Sequence, residues 1–434
     1  MTHLRAVAAI IVAGAASSLA APAFADEAKP LVAPIAVGDG FTIKPMLDSR
    51  VRWEDVQQPA KALSADAVTV RLRAGFELAN TPTHLALLVE TAGTLGIDTD
   101  YNAFPYKNLG STQYRPADAV VADPQDVALN RLQLQYRTKA VTLTAGRQRI
   151  NLDDERWVGS AGWRQNEQTF DAVRAEVTVK PVNLDVTYSD SQRTIYGGDG
   201  GARISNDGRF WFLGAGVRLG PVMTKGFAYL VDYDNTPGTP QAVRGQTNSS
   251  QTYGVRSTGS FTLVRGVSLA LAASFAEQSN YGSNTLHYKA DYYAGEAALG
   301  VRGLTVKGGY EVMGADANAA GGAWSVQSPL ATLHKFDGWA DVFLTTPAKG
   351  LRNSYAGLAA KLPMIKAIKG LNAQVVYHQF DSNIGAIGYG HEWDGAVGLK
   401  TGRINWLVKY ADYVATGGGT TDTRKFWLQA EFGF

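Results

Sequence analysis

Hydrophobic and polar residues alternate along most of the chain. In the segment VTVRLRAGFEL (68–78), apolar side chains occupy every second position, and Arg71, Arg73 and Glu77 lie between them. Successive side chains of a β-strand point to opposite faces, so the segment predicts a strand with one apolar and one charged face. Similar blocks of about ten residues recur along the chain, and this is the repeat length of strands in transmembrane β-barrels.

About eighteen segments carry this period-two pattern and predict β-strands. They are residues 41–53, 67–80, 83–93, 127–138, 140–151, 168–179, 182–191, 209–219, 222–234, 251–264, 267–279, 287–302, 304–315, 351–362, 371–382, 390–400, 404–415 and 422–434. The connections alternate between tight turns and longer polar loops, which are 54–66, 94–126, 152–167, 192–208, 235–250 and 316–350. This sorting is typical of outer-membrane barrels, whose short turns face the periplasm.

One further apolar segment, KFDGWADVFLTTP (335–347), would add another strand. Bacterial single-chain barrels have even numbers of strands, because both chain ends lie on the periplasmic side. We therefore assign residues 335–350 to a long loop with a helical turn that folds into the lumen.

A soluble antiparallel sheet would also have one wet face, but about eighteen such strands would form a very large sandwich with edges to protect. A closed barrel has no edge and places its apolar face against lipid. Aromatic residues near the strand ends predict an interfacial girdle. They are Trp53, Tyr136, Tyr188, Trp211, Tyr233, Tyr253, Tyr292, Trp393, Trp406 and Tyr410. We predict an all-β fold, a transmembrane antiparallel up-and-down β-barrel with short periplasmic turns and long extracellular loops.

The two ends of the chain support export to the outer membrane of a Gram-negative cell. Arg5, the apolar segment AVAAIIVAGAAS and the small-residue site Ala23-Phe24-Ala25 predict a signal peptide over 1–25. Residues 26–40 predict a periplasmic leader, and residues 41–434 predict the barrel. The final segment, KFWLQAEFGF, resembles the C-terminal signal of barrels that insert into outer membranes.

Composition excludes several classes of function. The chain has no cysteine, so it has neither disulfides nor thiolate metal sites. Without Arg5, 40 basic residues face 39 acidic residues, and this balance argues against nucleic-acid binding. The histidines lack metal-ligand spacing, and no G-x-S-x-G motif occurs. We therefore predict no enzyme activity, no cofactor and no metal site, and interpret the acidic segment 153–155 as a solvated loop.

The odd or even position of a residue in its strand, its parity, determines which face it occupies. Parity places many basic residues on the face that lines the lumen. They are Arg71, Arg73, Arg131, Arg137, Arg174, Arg218, Arg256, Lys289, Lys307, Lys400, Lys409 and Lys425. Arginine has a planar fork of donors that suits carboxylates, and basic rings make a pore anion-selective. The alternative is that these residues pair with inward acids, Asp232 among them, and stiffen the wall. Arg147 and Arg149 follow the outward parity of their strand.

Two segments resemble the alginate export family of outer-membrane proteins. They are LNRLQLQYRTKAVTLTAGRQRINLDDERWVGSAGWRQNEQTFDAVRAE (129–176) and LHKFDGWADVFLTTPAKGLRNSYAGL (333–358). The resemblance implies an eighteen-stranded monomeric barrel, loops that narrow the lumen, and an arginine-rich constriction that attracts polyuronate. It places Arg147, Arg149, Arg164 and Arg174 in or beside the pathway, and for Arg147 we follow the resemblance rather than parity.

We expect passive, selective diffusion of an anionic solute through a monomer that contacts outer-membrane lipid and lipopolysaccharide. The leading expectation is export of an alginate-type polysaccharide, and the alternative is an uptake porin for small organic acids or oligosaccharides. A barrel with a plugged lumen and a structural or enzymatic role is a third class. The expected pathway residues are Arg71, Arg73, Arg131, Arg137, Arg147, Arg149, Arg164, Arg174, Arg218, Arg256, Lys289 and Lys307.

Overall fold

The computed structural model describes residues 33–234, 247–362 and 369–433. The expected signal peptide and residues 26–32 of the expected leader lie outside this part of the chain. Within the leader, strand β1 (Ile35–Gly38) forms a hairpin with the start of β2 (Phe41–Gln57). The last part of the leader is therefore attached to the barrel by backbone hydrogen bonds.

Within the described residues, eighteen antiparallel strands form a closed barrel. They are β2, β3 (Ala65–Asn80), β4 (Leu85–Asp100), β5 (Asp126–Arg137), β6 (Val141–Gln148), β7 (Thr169–Val179), β8 (Val182–Arg193), β9 (Ser205–Leu219), β10 (Val222–Tyr233), β11 (Ser250–Val264), β12 (Val267–Asn280), β13 (Lys289–Val301), β14 (Leu304–Met313), β17 (Leu351–Lys361), β18 (Lys369–Asp381), β19 (Gly388–Thr401), β20 (Ile404–Ala415) and β21 (Thr423–Gly433). Neighbouring strands pair in chain order, and β2 closes the sheet by pairing with β21. Each predicted segment overlaps one strand, so the predicted fold class is confirmed.

The segment between β14 and β17, residues 314–350, is a loop, and it contains the predicted loop 316–350. It contains a two-stranded hairpin of β15 (Ala315–Asp316) and β16 (Trp324–Ser325), followed by a single-turn helix at Leu333–Lys335. Trp339 and Phe343 of this loop are buried in a cluster with inward residues of the barrel, so the loop folds into the lumen. In the described part of the chain, no helix has the length and hydropathy needed to span a membrane.

Alternation determines which side chains face lipid. Leu72 of β3 is 48% exposed, whereas the neighbouring Arg71 is 1% exposed and lies inside. Most of the predicted girdle aromatics face outward, but Tyr233 and Tyr292 are buried inside the barrel. Tyr292 packs against Trp157 of an inserted loop, with ring centroids 5.1 Å apart. The prediction was wrong at these two tyrosines because loops, not water, fill this part of the lumen.

A β-bulge changes the parity within β5. Glu90 pairs with Arg131, whereas Thr91 pairs with Leu129, so Asn130 is the extra residue. Strict alternation would place Asn130 outward beside Leu132. The bulge turns it inward, where its amide donates to Glu90 at 2.7 Å.

Gly146 of β6 adopts a positive φ of 112°, and an added Cβ atom would lie 2.3 Å from the Leu132 carbonyl oxygen. We expect Gly146→Ala to destabilise the barrel by about 1–3 kcal/mol, because a side chain there is strained. The measurement is the temperature at which the folded band is lost on semi-native gels. Gly295→Ala is the matched control, since no atom lies within 4 Å of its added Cβ. Equal melting of both variants would contradict the strain at Gly146.

Candidate functional site

Two inserted loops divide the lumen, the β6–β7 loop (149–168) and the β16–β17 loop (326–350). They contact each other directly: the Gly159 N–H donates to the Leu330 carbonyl at 2.9 Å, and Arg156 pairs with Asp337 at 2.9 Å. Val158 and Leu330 are buried in the apolar cluster that these loops form with the barrel wall. The loops therefore form one packed body within the lumen.

An arginine wall on β2 and β3 faces this body. Arg50 and Arg52 on β2 both donate to the Trp163 carbonyl of the β6–β7 loop, at 3.0 and 2.7 Å. On β3, Arg71 pairs with Asp48 and with Glu431, the latter at 3.1 Å. These three guanidinium groups lie on adjacent strands, and two of them, Arg50 and Arg52, hold the loop by direct contacts.

Some donors of this wall have no acceptor. Nε and Nη1 of Arg71, and Nε and Nη2 of Arg73, are buried and lack a hydrogen-bond partner within the described residues. Arg73 binds Glu167 through Nη1 at 2.7 Å. Unpaired buried N–H groups are costly in folded proteins, so each calls for an explanation such as a bound anion or water.

Glu167 and Glu90 connect the wall to β5 and β6. Arg131 makes two hydrogen bonds to Glu90, at 2.9 and 2.6 Å, and Arg149 reaches Glu90 at 3.0 Å and Glu167 at 2.5 Å. Burial raises the pKa of Glu167, but the charges of Arg149 and Arg73 outweigh it and hold that pKa well below its ordinary value. Glu167 is therefore ionised and neutralises part of the arginine charge.

A luminal cavity of about 510 Å³ lies between the loops and the wall formed by β7, β8, β10 and β11. Its charges alternate in sign. Lys225 contacts Asp153 at 3.1 Å and Asp185 at 2.8 Å, and Arg256 contacts Asp154 at 3.0 Å. This side of the lumen therefore carries both positive and negative charges, in contrast to the arginine wall.

The other inward candidates also have acidic partners. Arg137 pairs with Glu77, Arg174 with Glu176, Arg164 with Asp341 and Lys307 with Glu296. Arg218 shares the inward parity of Phe210 and Phe212 on β9. Paired luminal charges agree with the wall-stiffening alternative. Arg71 and Arg73 each keep two buried donors without a partner in the described residues, whereas Arg164 and Arg174 each keep one.

Four parity or family assignments were wrong. Arg149 lies inside with Glu90 and Glu167, so the family-based placement was correct there and the outward parity was not. Arg147 lies outward opposite Leu132 and pairs with Asp171 at 2.7 Å, so parity was correct and the family-based inward placement was not. Lys289 lies outward and pairs with Glu277 at 2.7 Å, and Asp232 lies outward with Arg209. The apolar side chains of Tyr292 and Tyr229 on these strands indicate a lipid-facing position in the sequence. In the structure they point inward and belong to the apolar cluster that the loops form with the barrel wall.

Sequence reasoning missed three basic residues of the site. Arg156 is buried between Glu311 and Asp337, and Lys225 and Lys335 line the cavity. Correct parity on β10 would have found Lys225, but no local pattern indicates the contacts of Arg156 and Lys335. In the described ranges, no group of three or more His, Asp or Glu side chains could hold a metal ion.

Arg147 and Arg149 provide a matched test of luminal placement. We expect Arg149→Gln to shift the reversal potential in a salt gradient toward cations, because Glu90 and Glu167 lose a compensating charge. Arg147→Gln should leave it unchanged, since its charge lies on the outer face with Asp171. Purified variants in planar bilayers give the measurement. An equal shift in both would show that the outward placement of Arg147 is wrong.

Comparison with known proteins gives a family match over part of the chain and a fold match over most of it. A family model described as alginate export matches residues 52–260, whereas no curated protein matches the chain. OpdK of Pseudomonas aeruginosa, solved with vanillate, is 12% identical with a TM-score of 0.65, and the match covers 90% of this chain and 98% of that chain. OccAB3 of Acinetobacter baumannii is 12% identical with a TM-score of 0.66, covering 90% of this chain and 99% of that chain. The protein is therefore an outer-membrane β-barrel whose residues 52–260 match the alginate export family.

Proposed function

We propose that the protein is a passive, monomeric channel for small solutes that carry a carboxylate. The observation that carries this proposal is the pair Arg71 and Arg73, whose buried N–H groups have no acceptor in the described chain. Guanidinium groups bind carboxylates through paired N–H donors, and such charge-assisted hydrogen bonds are strong. A carboxylate that passes the wall supplies the missing acceptors.

The acids around these arginines keep that binding weak. Conduction requires a site that attracts a solute and also releases it. Asp48, Glu431 and Glu167 already neutralise part of the charge on Arg71 and Arg73. A passing carboxylate therefore meets donors in a nearly neutral network, and this favours exchange over trapping.

The inserted loops favour a small solute. They fill much of an otherwise wide lumen, and the cavity beside them has a volume of about 510 Å³. Cavities of about 300–1,000 Å³ hold single small molecules. The mixed charges of Lys225, Asp153 and Asp185 add partners for hydroxyl groups on such a solute.

Polyuronate export is the second candidate, and the family match over residues 52–260 favours it. A polyuronate chain presents one carboxylate per sugar and would have to thread past both inserted loops. The two candidates differ in the size of the solute that interacts with the lumen. Both describe transport without chemistry.

A charge-neutral double variant separates solute binding from wall stiffening. Arg73→Gln with Glu167→Gln removes a cation and an anion together, so the net luminal charge is unchanged. We expect current block by benzoate or malonate to weaken about tenfold in the double variant, the equivalent of 1.4 kcal/mol for one lost charge-assisted contact. The measurement is block of single-channel current in planar bilayers.

The wild-type protein provides the reference. It should show a reversal potential that favours anions, and small carboxylates should block it more strongly than polymannuronate. Stronger block by polymannuronate would instead favour polysaccharide export. Block by carboxylates that is unchanged in the double variant would show that Arg73 serves only to pair with Glu167.

A further inference from the structure

Lys409 on β20 lies inside a cage of tryptophan rings and is only 1% exposed. Its Nζ atom lies 3.8 Å from the ring centroid of Trp339, 4.2 Å from Trp163 and 5.2 Å from Trp427. Cations bind the faces of aromatic rings within about 6 Å, most strongly when water is excluded. The three rings come from the β16–β17 loop, the β6–β7 loop and strand β21, so one ammonium group joins both loops to the wall.

A chain of hydrogen bonds continues from Lys409 into both loops. Nζ lies 2.6 Å from Nε2 of His334, and Nδ1 of His334 lies 2.7 Å from Asp341. An ammonium group only donates, so Nε2 accepts and the Nδ1–H donates to Asp341. Arg164 of the other loop and Lys425 of β21 also bind Asp341, each at 2.7 Å.

Burial favours this neutral imidazole. It lowers the pKa of His334 well below its ordinary value, and Lys409 and Arg164 lower it further against the opposing effect of Asp341. The Trp163 ring stacks on His334 with centroids 4.5 Å apart and planes 9° apart. The imidazole is therefore held from three sides, and its Nε2 atom remains available to Lys409.

Strand β19 holds the tip of the β16–β17 loop next to this cage. The backbone N–H groups of Trp339 and Ala340 donate to Asp394 at 3.2 Å and to Glu392 at 2.7 Å. Gly338 has a positive φ of 82°, and an added Cβ atom would lie 2.3 Å from a Glu392 carboxylate oxygen. The tip thus approaches the wall closely at the point where Trp339 covers Lys409.

We propose that Lys409 is a positioning residue that joins both inserted loops to the barrel wall and thereby helps to set the size limit of the channel. The proposal rests on the proposed channel function, but not on the nature of the solute. The barrel wall itself does not depend on this contact, because backbone pairing of β20 with β19 and β21 closes it. Loss of the ammonium group removes the centre of the cage and the donor to His334, while Asp341 keeps Arg164 and Lys425.

The test measures the exclusion size of the full-length channel. Lys409→Met keeps the length of the side chain and removes its charge. We expect a higher size limit for neutral polyethylene glycols and a conductance increase of about twofold, since conductance follows the open cross-section of a pore. Lys400→Met on β19 is the matched control, because Lys400 shares the inward face but lies near the periplasmic turn, and it should change neither quantity.

Thiol labelling gives a second measurement, because the chain contains no cysteine. Ala340→Cys places a thiol at the buried tip of the β16–β17 loop, and we expect labelling only when Lys409→Met is added. His334→Ala tests the same contact without changing the wall, in case Lys409→Met does not fold. An unchanged size limit and a protected thiol in folded Lys409→Met or His334→Ala protein would overturn the inference. A raised limit in Lys409→Met, together with a wild-type channel that shows no anion preference, would support the inference while removing the proposed solute class.

Discussion

Closure of the sheet is the constraint on which the rest of the structure depends. Hydrocarbon offers no partners to backbone N–H and C=O groups, so a sheet spans a membrane only when no edge remains unpaired. The pairing of β2 with β21 meets that requirement. Once the sheet is closed, each side chain of a strand has two destinations, lipid or lumen. Charged residues at lipid depth must therefore point inward, and the outward Arg147 and Lys289 lie at the ends of their strands.

Enclosing so many charges creates a second requirement. An unpaired ion is expensive to bury, and breaking a buried pair costs about 3–5 kcal/mol. Acidic partners meet this requirement for nearly all of the inward arginines. Arg131 with Glu90 shows the geometry, with two parallel hydrogen bonds. Such pairs make a rigid scaffold. The proposal of carboxylate recognition rests on Arg71 and Arg73, each of which keeps two buried donors without a partner in the described residues.

The sequence predicts the parts of the structure that follow from local alternation. The strand positions, the lengths of the connections and the inward position of Arg71 come from period two. The strand number also needs the rule that bacterial barrels have even numbers of strands. The pattern fails where loops replace water in the lumen, because an apolar side chain there no longer indicates lipid. Tyr292 and Tyr229 are such residues, and the parity of Lys289 fails with them.

The contacts of the loops are beyond sequence pattern for a different reason. Lys409 and His334 are 75 residues apart, and neither residue type nor spacing indicates that they meet. The bulge at Asn130 and the turn of Arg149 into the lumen likewise depend on the path of the backbone after each strand. Resemblance to a family indicated the luminal position of Arg149, but it also placed Arg147 inside, where the strand parity holds it outside.

Different interactions stabilise the barrel wall and the inserted loops, and this difference affects which solutes the channel can select. An empty tube of about eighteen strands is a wide aqueous channel and discriminates little between solutes. Backbone hydrogen bonds fix that tube, whereas side chains such as Lys409 and Arg52 fix the loops inside it. Changes in the loops can therefore alter what passes without weakening the wall. Distant sequences can share this barrel and differ in solute, because a fold does not determine the function of the sites built on it.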